Sequence, residues 1–417
     1  MAGTPQYIRN LNENLIMDAL ITQGSMSRAD ISRQTGLSKP TVSSAVEHLI
    51  ERNLVKETGR ADNAQGRKAT LIQFNETAYY VCGIDIGATR IRIALSDLNG
   101  QIIAYDTYPP IDPGQYVQFN SVNVQSSGEA EVEGGYETSV ASEVPVLRLL
   151  HSYVDQLLQK NRLQWSDLRC IGFGIPGVVL PVSGKISRIV DPLAGMEQDF
   201  SRDALARAFP CDIMLDNDVN LAALGEYRKG AAMNSPLFIF FSIGAGTGAG
   251  IMVQGHLLHG LGGLTGEVAE MRMQDGRRLE DVLSADGLIR LAKRHYLKGL
   301  LSSDMQPEDI FAATRSGEGW AISMMKEYSQ MIASALRQIS TLLAPELIVL
   351  GGGIGGNGDV LLPLLRKAVA EQFPVQPQLI CSDLGERAVV TGAVQVALQH
   401  TLMKLSKGRL KSRNRRK

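Results

Sequence analysis

Cysteine is scarce in this chain. Its 417 residues include four, Cys82, Cys170, Cys211 and Cys381. No two are close enough for a CxxC pair, which excludes a locally written zinc knuckle or redox dithiol. Each sits among apolar residues or at an element edge and reads as a small core hydrophobe. Net charge is just as slight, −1 from 42 Lys+Arg against 43 Asp+Glu. No global field draws in a polyanion, so a nucleic-acid partner has to be held by a local patch. No apolar run approaches the length of a membrane span, and no apolar signal core opens the chain. A cytoplasmic protein without a membrane partner is expected. The remaining composition, 44% hydrophobic and 20% charged, suits a globular protein of two or three domains.

What the chain does have is glycine, in clusters. Residues 237–267 contain an apolar run, Leu237 to Phe241, then Gly244, Gly246, Gly248 and Gly250, then Ile251, Met252 and Val253. This predicts a buried strand, a turn and a returning strand. Alternate glycines allow a sharp turn and bring bare N–H groups to a ligand, as a phosphate-type or polyol cradle. A second loop with Gly260, Gly262, Gly263 and Gly266 delivers Glu267.

The first 75 residues have a different character. Leu15, Ile16, Ala19 and Leu20 fall at helical spacing and Gly24 ends that helix. Ser27 to Asp30 is a capping-box-like start for a short second helix. Gly36 makes a turn, and Ser38 caps a third helix with Pro40 in its first turn. Val42, Ala45, Val46, Leu49 and Ile50 form a full apolar stripe on that helix. Its start and opposite face carry Lys39, Thr41, Ser43 and Ser44. This is the layout of a helix-turn-helix. Leu54 to Glu57 and Arg67 to Ile72 then read as a β-hairpin wing, with Arg60, Arg67 and Lys68 near the tip. The expected DNA-contacting set is Ser27, Arg28, Ser38, Lys39, Pro40, Thr41, Ser43, Ser44, Arg67 and Lys68. The alternative is a helical oligomerisation cap with a solvated hairpin. Nine Lys and Arg face seven Asp and Glu over residues 1–75, so non-specific affinity is weak and a dimer is needed for tight binding.

After Asn75 comes a second strand-turn-strand unit. Tyr80 to Ile84 is a strand, Asp85, Gly87 and Thr89 lie in a tight turn, and Arg90 to Leu95 returns. Two copies of one unit predict a duplicated α/β body with a cleft between lobes. Residues 109–140 read as an exposed insertion. Cys211 to Asp216 is a strand with Asn217 and Asp218 at its carboxyl end, where ligands bind in α/β sheets. Asp218 reads equally as a helix cap. Gly351 to Gly356 is a third glycine cluster. The tail from Lys404 to Lys417 has eight Lys and Arg and no acid; it is a solvated run or a polyanion contact.

In this order the motifs resemble the ROK family of bacterial sugar kinases and repressors. They are DIGATR, GIPGVV, LDNDVNLAALGE, GLTGEVAEM and LIVLGGGIG. The resemblance implies an N-terminal winged helix-turn-helix on a duplicated actin- or hexokinase-like (ribonuclease H-like) two-lobed body. The expected divisions are 1–75 for the head, 76–205 for the first lobe, 206–384 for the second and 404–417 for the tail. A helix near 385–403 completes the first lobe. Residue by residue, the resemblance implies sugar ligands at Asn217, Asp218, Glu267, Glu270 and Glu280, with Asp218 the general base in kinase members. It implies vestigial nucleotide contacts at Asp85, Gly87, Thr89, Gly244 and Gly246.

Two departures shape the expectation. Glu270 stands where the family has a zinc-binding, sugar-touching histidine, and Gln274 to Leu279 lacks the family's cysteines. No metal or cofactor is therefore expected, and a polar or electrostatic staple can replace the zinc. Ala245 stands where kinases have a threonine, which removes a phosphate hydrogen bond worth ~1 kcal/mol. The expected protein is a non-enzymatic, sugar-responsive transcriptional regulator. Its partners are an operator duplex, a sugar effector and a second copy of itself. The alternative is an ATP-dependent sugar kinase that keeps a DNA-binding head.

Overall fold

The computed structural model describes residues 5–60, 69–112, 145–181, 183–189, 193–296, 305–373 and 375–406. The hairpin tip with Arg67 and Lys68, most of the 109–140 insertion, and the tail beyond Ser406 lie outside the described residues.

The head is three helices and a small sheet. They are α1 (Pro5–Gln23), α2 (Arg28–Thr35) and α3 (Lys39–Glu51), with β1 (Met26–Ser27), β2 (Val55–Arg60) and β3 (Thr70–Phe74) in the order β1-β3-β2. Local chemistry sets its boundaries. Ser27 and Asp30 form a capping box on α2, and Gly36, at φ 71°, ends that helix in the left-handed region. Ser38 accepts from the Thr41 N–H at the start of α3. Of the expected stripe, Val42, Ala45, Val46 and Leu49 are buried. They pack with Ile16, Leu20, Ile31 and Leu54. Each such side chain contributes roughly 1.5–3 kcal/mol on burial.

The body is two sheets of one design. The first joins β4 (Tyr80–Ile86), β5 (Ile91–Asp97), β6 (Ile102–Tyr108), β7 (Leu168–Ile175) and β10 (Asp212–Asn217) in the order β10-β7-β4-β5-β6. A short hairpin, β8 (Gly177–Val179) with β9 (Ile186–Ile189), lies beside it. The second sheet joins β11 (Leu237–Ile243), β12 (Thr247–Val253), β13 (His256–Leu257), β14 (Leu347–Gly351) and β15 (Gln378–Cys381) in the order β13-β12-β11-β14-β15. In both, an antiparallel meander occupies one side and two parallel strands the other. The parallel partners need crossovers and cannot be read as hairpins. For that reason β10 pairs with β7 and extends the first sheet to Asn217, past the division drawn at 205 from sequence.

The helices that matter for the site start with α4 (Pro145–Lys160) and α5 (Arg202–Ala208) on the first lobe, followed by α6 (Asp218–Lys229). On the second lobe are α7 (Leu279–Leu283), α8 (Ala285–His295), α9 (Pro307–Arg315) and α10 (Gly319–Leu343). The one-turn α11 (Gly352–Gly355), α12 (Gly358–Gln372) and α13 (Ala388–Ser406) complete the set. The crossing of α6 and α13 joins the lobes. A Cβ on Gly392 would fall 1.8 Å from the Leu221 carbonyl oxygen, and one on Gly225 2.3 Å from that of Ala388. Glycine here lets two backbones touch. Gly248 and Gly250, expected in a ligand cradle, lie within β12, where a Cβ would strike Val219 and Ala223 of α6. Their role is packing, and only Gly244 and Gly246 stay in the turn.

One apolar cluster links the head core to Val390, Val394, Ala397, Leu398 and Leu405 of α13. Among the described residues, no helix is long and apolar enough to cross a membrane.

Candidate functional site

The cleft side of the first lobe is set by the end of β10. Asn217 caps α6 through its side-chain oxygen, which accepts from the Asn220 N–H at 3.0 Å, and its amide donates to the Gly177 carbonyl at 3.0 Å. The next residue, Asp218, takes the Val219 N–H at 2.9 Å. Asp218 is half-buried. Burial, reinforced by the negative charge of Asp85 and Glu267, pushes its carboxyl up to about 7. Three carboxylates from three chain segments thus share one electrostatic neighbourhood. Glu267 is delivered by a backbone that only glycine fits: Gly266 has φ +90°, and a Cβ there would fall 1.8 Å from the Ala249 carbonyl oxygen.

Two residues missed in the sequence complete this wall. His259 Nε2 lies 2.8 Å from Asp216 Oδ2, while Asp216 Oδ1 takes the Asn217 N–H at 2.8 Å and the Asn220 amide at 3.2 Å. The imidazole is held above its ordinary value, chiefly by the bond to Asp216, with a further hydrogen bond to the Leu257 backbone. Asp216 stands directly before Asn217, but nothing local marks its partner 43 residues away.

The first phosphate-type turn carries its own counter-ion. Arg92 Nη1 donates to Asp85 Oδ2 at 3.2 Å, and Nη2 to Glu386 Oε2 at 2.9 Å. Asp85 is 4% exposed. Burial outweighs the attraction of Arg92 and lifts its carboxyl to about 6. Gly87 closes the turn by donating to the Arg90 carbonyl at 3.1 Å, and Thr89 is exposed.

The second turn is occupied by a carboxylate. Glu280 Oε2 accepts the Thr247 N–H at 2.8 Å and the Thr247 hydroxyl. Glu280, expected on the sugar, therefore lies against the glycine turn, with Oε1 3.1 Å from where a Gly246 Cβ would be. Gly244 donates to the Gly246 carbonyl at 2.9 Å and abuts the third cluster at Gly352 and Gly353. A resident anion there opposes a phosphate electrostatically. The Glu280 carboxylate therefore fits this turn poorly to a nucleotide phosphate.

Glu270 is exposed, and Arg278 Nη2 donates to it at 3.2 Å. This ion pair spans the segment where the family holds zinc. Among the described residues, no group of three His, Cys, Asp or Glu could hold a metal ion. The donor set does not fit zinc.

In the head, Ser38, Lys39, Pro40 and Ser44 are exposed, and Thr41 and Ser43 half-buried. Thr41 Oγ1 is 2.8 Å from Ser38 Oγ. Arg28 reaches Glu57 of the wing at 3.1 Å. Ser27 differs from the expected contact set: it is 7% exposed and its hydroxyl serves the capping box. Its position leaves little surface for a duplex.

Comparison with known proteins gives two family matches, the ROK family over residues 125–400 and the MarR family over residues 11–67. A xylose repressor of Bacillus spizizenii is 25% identical over 408 residues, covering 95% of this chain and 97% of that one. A solved ROK family transcriptional regulator, a homologue of the Escherichia coli MLC protein, superposes with TM-score 0.73 at 21% identity, covering 97% of this chain and all of the other. A ROK family glucokinase from Streptomyces griseus, solved with glucose and AMPPNP, superposes with TM-score 0.60 at 21% identity over 77% of this chain and 99% of that one.

Proposed function

Since the chain belongs to the ROK family, we propose that it is a sugar-responsive transcriptional repressor of carbohydrate uptake or catabolism genes. A sugar or sugar derivative binds at Asn217, Asp218 and Glu267. A carboxylate and an amide at fixed angles each engage polyol hydroxyls in set directions. The ligand shifts DNA affinity only to the extent that it binds two lobe arrangements differently.

The observation that carries the reading is continuity from cleft to head. Asn217 and Asp218 start α6. That helix crosses α13 backbone to backbone at Gly392. The far end of α13 accepts a hydrogen bond from Arg52, just beyond α3, at 2.7 Å to the Leu405 carbonyl. A shift of α6 against α13 therefore moves the fulcrum of the head, and in a dimer it changes the spacing of two recognition helices. The family relative named a xylose repressor supports the same reading over nearly the whole chain.

The test is fluorescence anisotropy with DNA from upstream of the chain's own gene, with and without a panel of sugars. One sugar is expected to change the affinity at least tenfold. Failure to bind any such fragment overturns the proposal.

A second reading, a sugar kinase that keeps a head, draws on Asp218 alone. A carboxyl near pH 7 suits a general base. Against it stands the Glu280 carboxylate on Thr247 at the second turn. Sugar-dependent ADP release that disappears in Asp218→Asn would establish the kinase.

A further inference from the structure

A cavity of about 620 Å³ opens on the second lobe, lined by residues of α7, α8 and α10. Three arginines, Arg277, Arg290 and Arg294, and one carboxylate, Asp281, form its polar lining, and Val282, Leu291 and Met331 its apolar one, so the lining carries an excess of positive charge. Asn217, Asp218, Glu267 and Asp85 do not take part. Arg277 comes from the segment where the family's zinc loop would lie, and Arg290 and Arg294 stand one turn apart on α8, so their side chains project from one face.

We infer that this cavity is a second ligand site, for a small phosphorylated metabolite whose phosphate is held by the arginines. The volume lies within the range of pockets that enclose small molecules. The guanidinium fork matches phosphate oxygens, and several forks can share one dianion. The three groups are not equally engaged at present. Arg290 donates to the main-chain oxygen of Asp281 at 2.7 Å. Arg294 is 3.9 Å from Glu327, whose carboxylate is already bonded by His295 at 2.6 Å. Arg277 pairs with the exposed Asp275. A phosphate entering between Arg290 and Arg294 gains charge-assisted bonds without first breaking a short ion pair at either. The apolar floor of Val282, Leu291 and Met331 then receives the ring or carbon chain of the ester. An inorganic ion would leave that floor uncovered, so the ester is the better fit.

This site does not depend on the cleft's being a sugar site, and the experiment separates the two. The full chain is titrated calorimetrically with a hexose 6-phosphate, a pentose 5-phosphate, their parent sugars and inorganic phosphate. At least one ester is expected to bind more tightly than both its parent sugar and inorganic phosphate. In the double variant Arg290→Ala, Arg294→Ala its dissociation constant rises tenfold or more, while the melting temperature falls only slightly, since both side chains are exposed and the short bond lost within the protein is that of Arg290 to the Asp281 carbonyl. Asp218→Asn leaves ester binding as it was. The inference is overturned if no ester outbinds its parent, if inorganic phosphate binds as well as every ester, or if Asp218→Asn rather than the arginine pair removes binding. It is also overturned if the arginine variant changes only the oligomeric state, since the surface then belongs to a second copy.

Discussion

His259 on the second lobe's loop and Asp216 at the end of a first-lobe strand stand 2.8 Å apart, Nε2 to Oδ2. This contact ties the loop that leads to Glu267 to the wall that carries Asn217 and Asp218. The imidazole is raised above its ordinary 6.5, so its contribution is complete below that value and is lost as the pH rises through the raised one. In His259→Phe, sugar affinity and melting temperature should fall at pH 6 by the equivalent of ~1 kcal/mol. At pH 9, where the imidazole is neutral, the deficit should be smaller. An equal deficit at both pH values would mean that the ring acts by packing alone.

Asp218 runs the other way. Its carboxyl is lifted from 3.8 to about 7 by burial first and by its acidic neighbours second. Such a group holds its proton better folded than unfolded, so its penalty is absent below pH 4, grows as the pH rises, and is complete above about 7. The interval sets a ceiling of about 4 kcal/mol. Asp218→Asn should therefore raise the melting temperature by several degrees at pH 8 and by much less at pH 5. The same variant should lose most of the thermal protection given by saturating sugar. A variant less stable than wild type at pH 8 would show that the charge is already compensated.

Much of this was legible in the residues. The α3 stripe, the Ser38 cap and the strand-turn-strand units at Asp85 and Gly244 depend on neighbours in sequence, and they stand where periodicity put them. Asn217 and Asp218 were visible because a strand end and a helix start adjoin. What stayed hidden is long-range. Arg92 meets Glu386 across 294 residues, and an inward arginine on a strand announces a partner without naming it. Gly248 and Gly250 resembled a cradle because a glycine required by helix packing looks the same in sequence as one required by a ligand. Ser27 carried both a cap and a contact expectation, and only burial tells them apart. Glu270 and Glu280 were set by resemblance, and their partners, Arg278 and Thr247, come from two segments, each of which departs from that pattern.

Gly392→Ala tests the crossing of the lobes. Its added Cβ meets the Leu221 carbonyl at 1.8 Å, and neither helix backbone can yield without moving its sheet. Overpacking of this kind costs roughly 1–3 kcal/mol. The melting temperature should drop by several degrees, and the sugar effect on DNA affinity should shrink even where the variant remains folded. An unchanged melting temperature would mean that the helices already slide freely past each other.

Lys39 offers a cleaner probe of the head. It is exposed at the start of α3 beside Ser38, Pro40 and Thr41. Lys39→Ala should weaken binding to every duplex by a similar factor and reduce the salt slope of log affinity by about 1. Loss confined to one operator would instead make Lys39 a reader of bases.

The most demanding prediction concerns Arg52. Glu13 of α1 has no exposed surface, and it is held by His48 at 2.6 Å and by Arg52 Nη1 at 2.7 Å. The other end of the Arg52 guanidinium grips the Leu405 carbonyl at the end of α13. Arg52→Ala therefore removes a stabilising partner and a mechanical link together. Breaking a buried pair costs about 3–5 kcal/mol when nothing replaces it; His48 remains, so the loss should be smaller. The two roles separate in Glu13→Leu, Arg52→Leu, which removes the buried charge along with its partner. That double variant should recover stability and still bind DNA and sugar, but the sugar should no longer change the DNA affinity. If anisotropy shows the full sugar effect in the double variant, the signal from cleft to head does not pass through Arg52.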